Sequence, residues 1–572
     1  MSKLGFRLQV LGYSILFYLF TVTCPLSTVS AIVDPLTVPN NKFGIHIIQA
    51  TPDESSPAAQ LVNTNGDWGY ITFLIESKDR NQGKWQEFFN DLRKRHLIPI
   101  VRLATKPLNE HWERPYEGEE QAWADFLDNL NWPTKNRYVI IYNEPNHGKE
   151  WNNVTDPISY AQVLNKTIDA LKKKSEDFFV LNAGLDASAP HQPPNYFDER
   201  LFLQEMEKAV PGIFNKLDGW VSHSYPNPEF RGSPTAVGRG TVKTYIWELQ
   251  VLRSLGLSKD LPVFITETGW KHAEGVSFDP SLPSADTVAT HYKNAFEGAW
   301  NSQNIVAITP FLLSYQEPLF AHFSFKKVES SEFYPQFQTI LDMPKIAGKP
   351  RQENRAQLEK GEIFSTMVAG EEYNISLKFK NNGQSIWNDG DLVKLKFIQG
   401  ADQSGIAEIP IPKDIKVEPG KEYTFNFSVK APIKGPFKSV LNLFSNIRQF
   451  DSPPLEFNTQ IKSPVILKLK SSLKWKESAE GEYLLRIEGP AGESLQAVNL
   501  DDDGLSKEME ARYLLPDYAF DFTLERKSYH PVTIRQKVLS GLNTLDFGEL
   551  QPAILANLLN PKELWQLLPF SD

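Results

Sequence analysis

Cysteine is almost absent from this chain: among its 572 residues there is one cysteine, Cys24, close to the N-terminus. The sequence after Cys24 therefore offers neither a disulfide nor a thiol nucleophile. No spacing typical of a zinc site stands out either. The globular part of the chain must consequently be held together by its hydrophobic cores.

An excess of positive charge is also lacking. The formal net charge is −10, and no basic stretch with interleaved aromatic residues occurs, so a nucleic acid is not an expected partner. The apolar fraction of 41% and the charged fraction of 23% are typical of an ordinary soluble globular protein. The length predicts about three to four domains.

Glycine-rich phosphate loops and serine nucleophile elbows are missing too, and we expect no cofactor and no bound metal. One stretch, Asn499-x-Asp501-x-Asp503-Gly504 with Glu510 beyond it, matches the pattern of a calcium loop. A calcium loop of that kind needs a helix on each side. Because Ala497-Val498 before it resembles a strand, the stretch favours an acidic turn.

The N-terminal segment has the pattern of an export signal. Lys3 and Arg7 precede an apolar stretch from Val10 through Val22, and small residues follow at Val29-Ser30-Ala31. This order predicts a signal peptide over residues 1–31, cut near Ala31. An uncleaved membrane anchor is the alternative, because the apolar stretch approaches the length of a spanning helix. Either way we expect a protein that is secreted or held at the cell surface.

From Lys42 to about Leu341, short apolar runs alternate with amphipathic helical stretches. The runs lack polar alternation, which is typical of parallel strands covered on both faces. Eight runs are predicted as strands: Phe43–Ile48, Tyr70–Ile75, Ile98–Leu103, Tyr138–Tyr142, Phe179–Ala183, Trp220–His223, Val263–Thr266 and Ile305–Phe311. This α/β pattern predicts a (β/α)₈ TIM barrel over residues 40–345. A doubly wound open sheet is the alternative, but no glycine-rich loop follows the first strand.

After a linker over residues 343–354 the apolar period changes to two. Alternation such as Tyr373, Ile375, Leu377 and Phe379 predicts an antiparallel β-sandwich over residues 356–461. A second β-sandwich is predicted over residues 464–550. Residues 551–572 form a tail, either a short helix docked on the second sandwich or an exposed interaction segment.

The two β regions resemble known extracellular modules. Asn382-Gly383 followed by Trp387 is similar to Ig-like modules that accompany many catalytic domains. Leu514-Leu515-Pro516-Asp517-Tyr518 and Lys527-Ser528-Tyr529-His530-Pro531 resemble the prealbumin-like β-sandwiches of bacterial surface proteins. The resemblance implies an exported, multidomain protein.

Two glutamates end separate predicted strands of the α/β region. Glu144, in Tyr142-Asn143-Glu144-Pro145, follows the fourth apolar run, and Glu267 follows the seventh. In a barrel the carboxyl ends of the strands meet around one cleft. Two carboxyl groups delivered there are what hydrolysis of a glycosidic bond requires. Taken singly, each motif also fits a simple turn that closes a strand.

With these residues the chain resembles the large clan of retaining (β/α)₈ glycoside hydrolases, which carry an Asn-Glu pair at the end of strand four and a glutamate at the end of strand seven. The resemblance implies that Glu144 is the acid/base and Glu267 the nucleophile. It implies that Asn143 binds the sugar 2-hydroxyl, a contact that strengthens in the oxocarbenium-like transition state.

The resemblance also implies supporting residues. His223 or Tyr225, after the sixth run, would hydrogen-bond the nucleophile and keep it ionised. Arg102, in an apolar run, needs an anion and would lie near the nucleophile, although the clan usually has this arginine one strand earlier. His46 is a second candidate, with packing in the core as its alternative. Trp270 would stack on a sugar ring, although a buried core position is the commoner one for tryptophan.

The sequence therefore predicts a monomeric retaining glycoside hydrolase that cleaves O-glycosidic, β-linked bonds in a polysaccharide or oligosaccharide. The alternative from another class is a carbohydrate-binding or cell-surface adhesion protein that keeps the barrel without turnover. Transglycosylation would use the same two carboxyl groups. The identity of the sugar and the choice between exo and endo action stay open at this point.

Overall fold

The computed structural model describes residues 32–361, 363–489 and 492–553. The predicted signal peptide or anchor over residues 1–31 and the tail from residue 554 onward lie outside the described residues. No helix in the part of the chain that is described is long and apolar enough to cross a bilayer. The described residues form two compact units: 32–88, 99–130 and 136–349 belong to the first, and 89–98, 131–135 and the described part of 350–553 to the second.

All eight predicted parallel strands are present where their apolar runs predict them. They are β1 (Gly44–His46), β2 (Gly69–Glu76), β3 (Leu97–Ala104), β4 (Arg137–Ile140), β5 (Phe178–Leu181), β6 (Trp220–His223), β7 (Val263–Glu267) and β8 (Ile305–Ile308). Every residue of β1, β5, β6, β7 and β8 is buried. This burial is why these runs show no polar alternation.

The parallel strands pair in the order in which they follow each other in the sequence. One sheet has the order β1-β2-β3-β4-β5 and the other the order β6-β7-β8. Isolated parallel bridges pair Leu181 with Gly219 and Phe43 with Ile308, which joins the two sheets at both edges. The carboxyl ends of all these strands therefore lie on one side.

Eight helices alternate with the strands: α1 (Pro52–Asn63), α2 (Gln82–Lys94), α3 (Glu119–Asp128), α4 (Pro157–Lys174), α5 (Glu199–Ala209), α6 (Thr244–Ser254), α7 (Ala285–Asn294) and α8 (Pro335–Asp342). Side chains that accept from the first turn fix where several of them begin. Asp156 accepts from the Ser159 N–H at α4, and Asp198 accepts from the Leu201 N–H at α5. Such caps satisfy a backbone donor that would otherwise lack a partner.

Two sheets built from nine strands follow in the second unit. The strands are β9 (Ala356–Lys360), β10 (Thr366–Val368), β11 (Glu372–Asn381), β12 (Val393–Gln399), β13 (Glu408–Pro410), β14 (Glu422–Lys430), β15 (Phe437–Ser445), β16 (Arg448–Gln449) and β17 (Leu455–Lys462). One sheet has the order β9-β11-β14, and the other β10-β17-β15-β12-β13 with β16 beside β15. Leu377, Phe425, Leu395 and Leu441 share one buried core.

The prediction that this region is antiparallel is wrong for one pair of strands. Thr366–Val368 pairs in parallel with Gln460–Lys462. The reason is that β9 and β10 are neighbours in the sequence but belong to different sheets, so the chain changes sheet between them. β9 runs antiparallel to β11, and β10 continues beside β17 in the other sheet.

A third set of strands completes the described chain: β18 (Val465–Leu473), β19 (Gly481–Gly489), β20 (Gly492–Leu500), β21 (Met509–Ala511), β22 (Ala519–Glu525), β23 (Val532–Lys537) and β24 (Gly541–Leu550). They form sheets with the orders β21-β18-β24 and β20-β19-β22-β23. Along β19, Tyr483, Leu485 and Ile487 are buried while Glu482 and Leu484 are exposed. The period of two thus separates a core face from a solvent face.

The stretch that matches a calcium loop is a turn between strands. It begins in the last two residues of β20 and continues into the turn, and neither of its flanks is helical. Asp501 Oδ1 accepts a hydrogen bond from the Leu505 N–H at 2.8 Å, and the Asp501 carbonyl accepts from the Gly504 N–H at 2.9 Å. The Asp501 side chain is thus engaged in closing the turn, as an acidic turn requires.

Candidate active site

Glu144 and Glu267 come together at the carboxyl ends of the parallel strands. Glu267 is the last residue of β7, and Glu144 lies in the loop that follows β4. One carboxylate oxygen of each lies within 4.8 Å of the other, and the same holds for a ring nitrogen of His223. Two acidic side chains 123 positions apart in the sequence therefore face one small space.

The backbone that carries Glu144 is strained. Tyr142 has a φ of 68° and Glu144 a φ of 28°, in a region that residues with a Cβ rarely adopt. Such conformations cost about 1–3 kcal/mol each and persist only where the surroundings hold them. The Glu144 N–H donates to the Gly184 carbonyl at 3.0 Å, and the buried Tyr142 ring packs on Trp151 at 5.7 Å between centroids. These contacts hold the backbone of the segment that carries Glu144 in place.

Glu267 is surrounded by groups that favour its ionised form. Arg102 Nη1 donates to Glu267 Oε1 at 2.5 Å, and the Tyr225 hydroxyl donates to Glu267 Oε2 at 3.1 Å. His223 Nδ1 lies 3.8 Å from Oε2. Burial by itself would raise the pKa of Glu267, but the charges of His223 and Arg102 outweigh it and lower the pKa to about 2. Glu267 is therefore a carboxylate at any neutral or mildly acidic pH.

His223 lies between the two glutamates. Its Nδ1 is 2.7 Å from Glu144 Oε1, closer than to Glu267. Burial lowers the pKa of His223, but the negative charge of Glu267 and the hydrogen bond to Glu144 raise it more, so the net shift is upward. Of the two residues expected beside the nucleophile, Tyr225 makes the hydrogen bond to Glu267 and His223 makes its hydrogen bond to Glu144.

Arg102 also fixes the orientation of Asn143. Its Nη1 donates to Asn143 Oδ1 at 2.8 Å. The Asn143 side chain in turn hydrogen-bonds Glu150. Arg102 thus orients the amide by its oxygen, and the NH₂ group of Asn143 serves as the donor. Asn143 thus connects the Arg102–Glu267 ion pair to the loop that carries Glu144.

His46 lies behind Glu267 and has no surface open to a substrate. It is completely buried, its ring makes an edge contact with Phe311 at 5.3 Å, and Nδ1 is 3.9 Å from Glu267 Oε1. Burial and the nearby Arg102 charge lower the pKa of His46 to about 3, so it is neutral. The expectation that His46 binds substrate directly is corrected: it forms the wall against which Glu267 rests.

Trp270 also differs from its expected role. The side chain is 1% exposed, its Nε1 donates to the Gly232 carbonyl at 2.8 Å, and its ring packs against Tyr292 and Trp300. Because the side chain is almost completely buried, Trp270 cannot stack on a sugar. Its apolarity reflects a position in the core, so the expectation that it binds substrate is wrong.

Three further ionisable residues near Glu144 were not singled out from the sequence. Burial and the charge of Glu144 raise the pKa of Glu150 to about 7. His147 Nε2 lies 2.9 Å from Asp186 Oδ2; burial lowers its pKa, but that hydrogen bond and the charge of Glu144 raise it to about 9. His147 and Glu150 follow Glu144 in the same loop, and this closeness along the chain could have indicated from the sequence that they lie near the site.

Glu144, His223 and Glu267 are also the three side chains among the described residues whose ligand atoms lie close enough to share a metal ion. Arg102 places a permanent positive charge 2.5 Å from Glu267, and His223 Nδ1 already faces Glu144. A second cation at that point would be repelled, and one ligand atom would have to give up its present hydrogen bond. The arrangement therefore fits proton transfer between carboxyl groups better than metal binding.

No family model and no curated protein matches the chain. Among solved structures, a family 39 glycoside hydrolase from Bacteroides cellulosilyticus WH2 is 14% identical, with a TM-score of 0.37 over 70% of this chain and 82% of that one. A family 30 subfamily 8 xylanase from Clostridium acetobutylicum is 12% identical, with a TM-score of 0.33 over 69% and 95%. An endo-β-1,4-mannanase from Cellulomonas fimi is 9% identical, with a TM-score of 0.32 over 75% and 94%.

These structural neighbours are all glycoside hydrolases, the class that Asn143-Glu144-Pro145 and Glu267 resemble. Likenesses at such identities and TM-scores carry no argument about fold or activity.

Gly184 leaves the space that the His223 ring fills. A Cβ at Gly184 would lie 2.1 Å from Cδ2 and 2.3 Å from Nε2 of His223. We therefore expect Gly184→Ala to push the imidazole away from Glu144 and to lower the pKa of His223 towards its ordinary value. An NMR titration of the histidine rings measures this shift.

The matched control is Gly298→Ala, because a Cβ at Gly298 meets no atom within 4 Å. The His223 titration should be the same in this variant as in the parent. An unchanged His223 pKa in Gly184→Ala would show that the described contact between His223 and Glu144 does not set it.

Proposed function

We propose that the chain is a glycosidase and that it acts by the retaining, double-displacement mechanism. The observation that carries the proposal is the separation of the two carboxyl groups, whose nearest described oxygen atoms lie within 4.8 Å. Retaining enzymes need about 5–5.5 Å between the carboxyl groups, whereas inverting enzymes leave about 6.5–9.5 Å for a water molecule. The short separation supports direct attack by one carboxylate.

Glu267 is the nucleophile in this proposal. Arg102 and Tyr225 hold two hydrogen bonds to its carboxylate, which therefore stays ionised and fixed in direction. Its oxygen attacks the anomeric carbon while the bond from that carbon to the leaving oxygen breaks. Glu144 donates its proton to the leaving oxygen, and a covalent glycosyl ester on Glu267 results.

Glu144 acts as the base in the second step. It removes a proton from water, the water oxygen attacks the anomeric carbon, and the ester bond to Glu267 breaks. The enzyme then again holds an ionised Glu267 and a protonated Glu144. Because His223 hydrogen-bonds Glu144 and lies 3.8 Å from Glu267, its imidazolium form, which the raised pKa favours, stabilises whichever of the two is ionised.

We further propose that the two parallel sheets form one (β/α)₈ barrel, residues 40–345, that acts as the catalytic domain. The two bridges that join β5 to β6 and β1 to β8 support closure. The regions 356–461 and 464–550 are proposed as accessory β-sandwich modules. An oligosaccharide or polysaccharide with β-linked sugars is the proposed substrate, and export by residues 1–31 is the proposed route to it.

The roles of the two glutamates are tested with aryl β-glycosides of several sugars and with azide. Glu144→Ala should lower kcat by about 10²–10⁴-fold, because the second step loses its base. Azide needs no base, so it should restore turnover and yield a glycosyl azide with the configuration of the substrate. Glu267→Ala should be inactive alone and with azide should yield the inverted glycosyl azide. NMR of the products distinguishes the two.

Glu150→Ala is the control, since it removes a third carboxyl group from the same site. This variant should hydrolyse the glycosides without azide and gain nothing from it. Retained turnover in Glu267→Ala would contradict the assignment. A parent protein that hydrolyses none of the glycosides would instead favour the non-catalytic carbohydrate-binding alternative.

The pH dependence of kcat/KM should depend on Arg102. Arg102 is one of the charges that lower the pKa of Glu267, so Arg102→Gln should raise it. The acid limb of kcat/KM reports the free enzyme, and it should move upward by about 1–3 pH units. The parent should keep its kcat/KM down to the lowest pH at which it stays folded. A pH profile of kcat/KM for parent and variant measures the difference.

Arg137→Gln is the matched control for this profile. Arg137 also forms an ion pair, with Asp128 at 2.8 Å, but it lies at the first residue of β4, the opposite end of the strands. The acid limb of kcat/KM for Arg137→Gln should coincide with that of the parent. If Arg102→Gln also left the limb in place, Arg102 would not be the group that keeps Glu267 ionised.

A further inference from the structure

Two fully buried glutamates contact each other outside the site described above, and one of them, Glu248, also contacts strand β6. Glu199 is the first residue of α5, Glu248 lies in α6, and both are 0% exposed. Their carboxyl groups are in hydrogen-bonding contact with each other. As plain carboxylates they leave three of their four oxygens without a donor: both of Glu199 and Oε1 of Glu248.

Two ionised carboxylates cannot stay in contact inside a protein, because neither carries a donor and their charges repel. One shared proton removes both problems, since it creates an O–H donor and halves the charge. The remaining donors indicate where the charge lies. Trp220 Nε1 donates to Glu248 Oε2 at 3.0 Å, and the Ser222 side chain also hydrogen-bonds Glu248. Glu248 thus accepts as the carboxylate, and Glu199 is the carboxylic acid.

The electrostatics agree with this assignment. Burial, the charge of Glu248 and the hydrogen bond to Glu248 raise the pKa of Glu199 well above its usual range. The other charged groups that face the pair are Arg239 and Asp186 on the side of Glu199 and His223 on the side of Glu248. Arg239 already forms an ion pair with Asp198 at 2.7 Å, so it does not neutralise Glu199.

A chain of buried hydroxyl groups connects this pair to the candidate active site. Ser222, which hydrogen-bonds Glu248, has its Oγ 2.8 Å from Ser224 Oγ. Thr268 Oγ1 donates to the Ser224 carbonyl at 2.7 Å. All three hydroxyl residues are fully buried. Ser222 and Ser224 flank His223 in the sequence, and Thr268 follows Glu267.

We propose that Glu199 and Glu248 form a carboxylic acid–carboxylate pair that shares one proton and positions the end of β6, and with it His223. They are positioning residues, since they touch neither Glu144 nor Glu267. The consequence for catalysis rests on the proposed glycosidase function, but the existence of the pair and its effect on His223 do not.

The shared proton has a defined effect on stability. In the unfolded chain Glu199 loses its proton above about pH 4.3. The folded protein keeps that proton, so its stability falls as pH rises from there towards the raised pKa of Glu199. This contribution to stability is fully present below pH 4 and is progressively lost above it. The unfolding equilibrium constant should rise by up to about tenfold per pH unit from this group.

Glu199→Gln tests the pair, because glutamine keeps an N–H donor for Glu248 and does not titrate. Relative to the parent, the variant should gain stability as the pH rises above 5 towards the raised pKa of Glu199. An effect of the substitution that does not involve a proton changes the stability of the variant equally at every pH. The test is therefore whether the stability difference between variant and parent changes with pH. Glu205→Gln, on the same helix but solvent-accessible, should show no such trend. Chemical denaturation at each pH measures the stabilities.

Infrared spectroscopy of the folded parent gives a second, independent measurement. The carbonyl stretch of a neutral carboxyl group should persist at a pH where exposed carboxyl groups are ionised. Glu54 and Glu150, with pKa values raised to about 7, contribute equally to parent and variant and cancel in the difference spectrum. Glu199→Gln should abolish that band. A stability difference that does not change with pH, or the absence of the band in the parent, would contradict the proposal that Glu199 and Glu248 share a proton.

The positioning role is tested on His223 itself. Glu199→Leu removes the acid, and the NMR resonances and titration of the His223 ring should shift. Unchanged His223 resonances in both Glu199→Leu and Glu199→Gln would overturn positioning. None of these measurements requires turnover. A parent protein that shows the shared proton but hydrolyses no glycoside would contradict the proposed glycosidase function alone.

Discussion

A carboxylate that is buried stays ionised only where the groups around it stabilise its charge, and the whole candidate site depends on this requirement at Glu267. Arg102 comes from β3, Tyr225 follows β6, and Glu267 ends β7. Each of these side chains lies within reach only because parallel strands present their carboxyl ends on one side. Burial makes the interactions strong, since the same charges would be screened in water. The Arg102–Glu267 contact at 2.5 Å thus links the order of the strands to the chemistry.

The second glutamate is held by different means. Glu144 sits on backbone with positive φ, and its direction depends on the Gly184 carbonyl and on His223, whose ring occupies the space beside Gly184. His223 in turn belongs to a strand whose buried hydroxyl groups lead to Glu199 and Glu248. The distance between the two carboxyl groups therefore depends on the strained loop of Glu144, on Gly184 and on the buried pair of Glu199 and Glu248.

Much of this arrangement could be predicted from the sequence. The eight strands were predictable because each is a short, almost wholly apolar run, and burial of nearly every residue is what produces such runs. The approach of Glu144 to Glu267 followed from the position of Glu267 at the end of a strand and of Glu144 shortly after one. The division of labour between His223 and Tyr225 was not predictable, because it depends on side-chain directions that neighbouring residues decide.

Other features lacked a signal in the sequence. Trp270 was expected at a sugar-binding surface, but aromatic character is the same in a core and in a binding site. The parallel pairing of Thr366–Val368 depends on a change of sheet that an alternating pattern does not record. Glu199 and Glu248 lie in helices, where glutamate is common on the solvent face, and only the tertiary packing of α5 and α6 makes them buried.

The most direct test of the central claim is to trap the covalent intermediate. A panel of 2-deoxy-2-fluoro β-glycosides with activated leaving groups should form the glycosyl ester quickly and release it slowly, because fluorine destabilises both oxocarbenium-like transition states while the good leaving group favours the first step. Mass spectrometry of the digested protein should then find one sugar per chain, attached to the peptide that contains Glu267. A sugar on Glu144, or hydrolysis of the parent glycosides with no adduct from any member of the panel, would contradict the account.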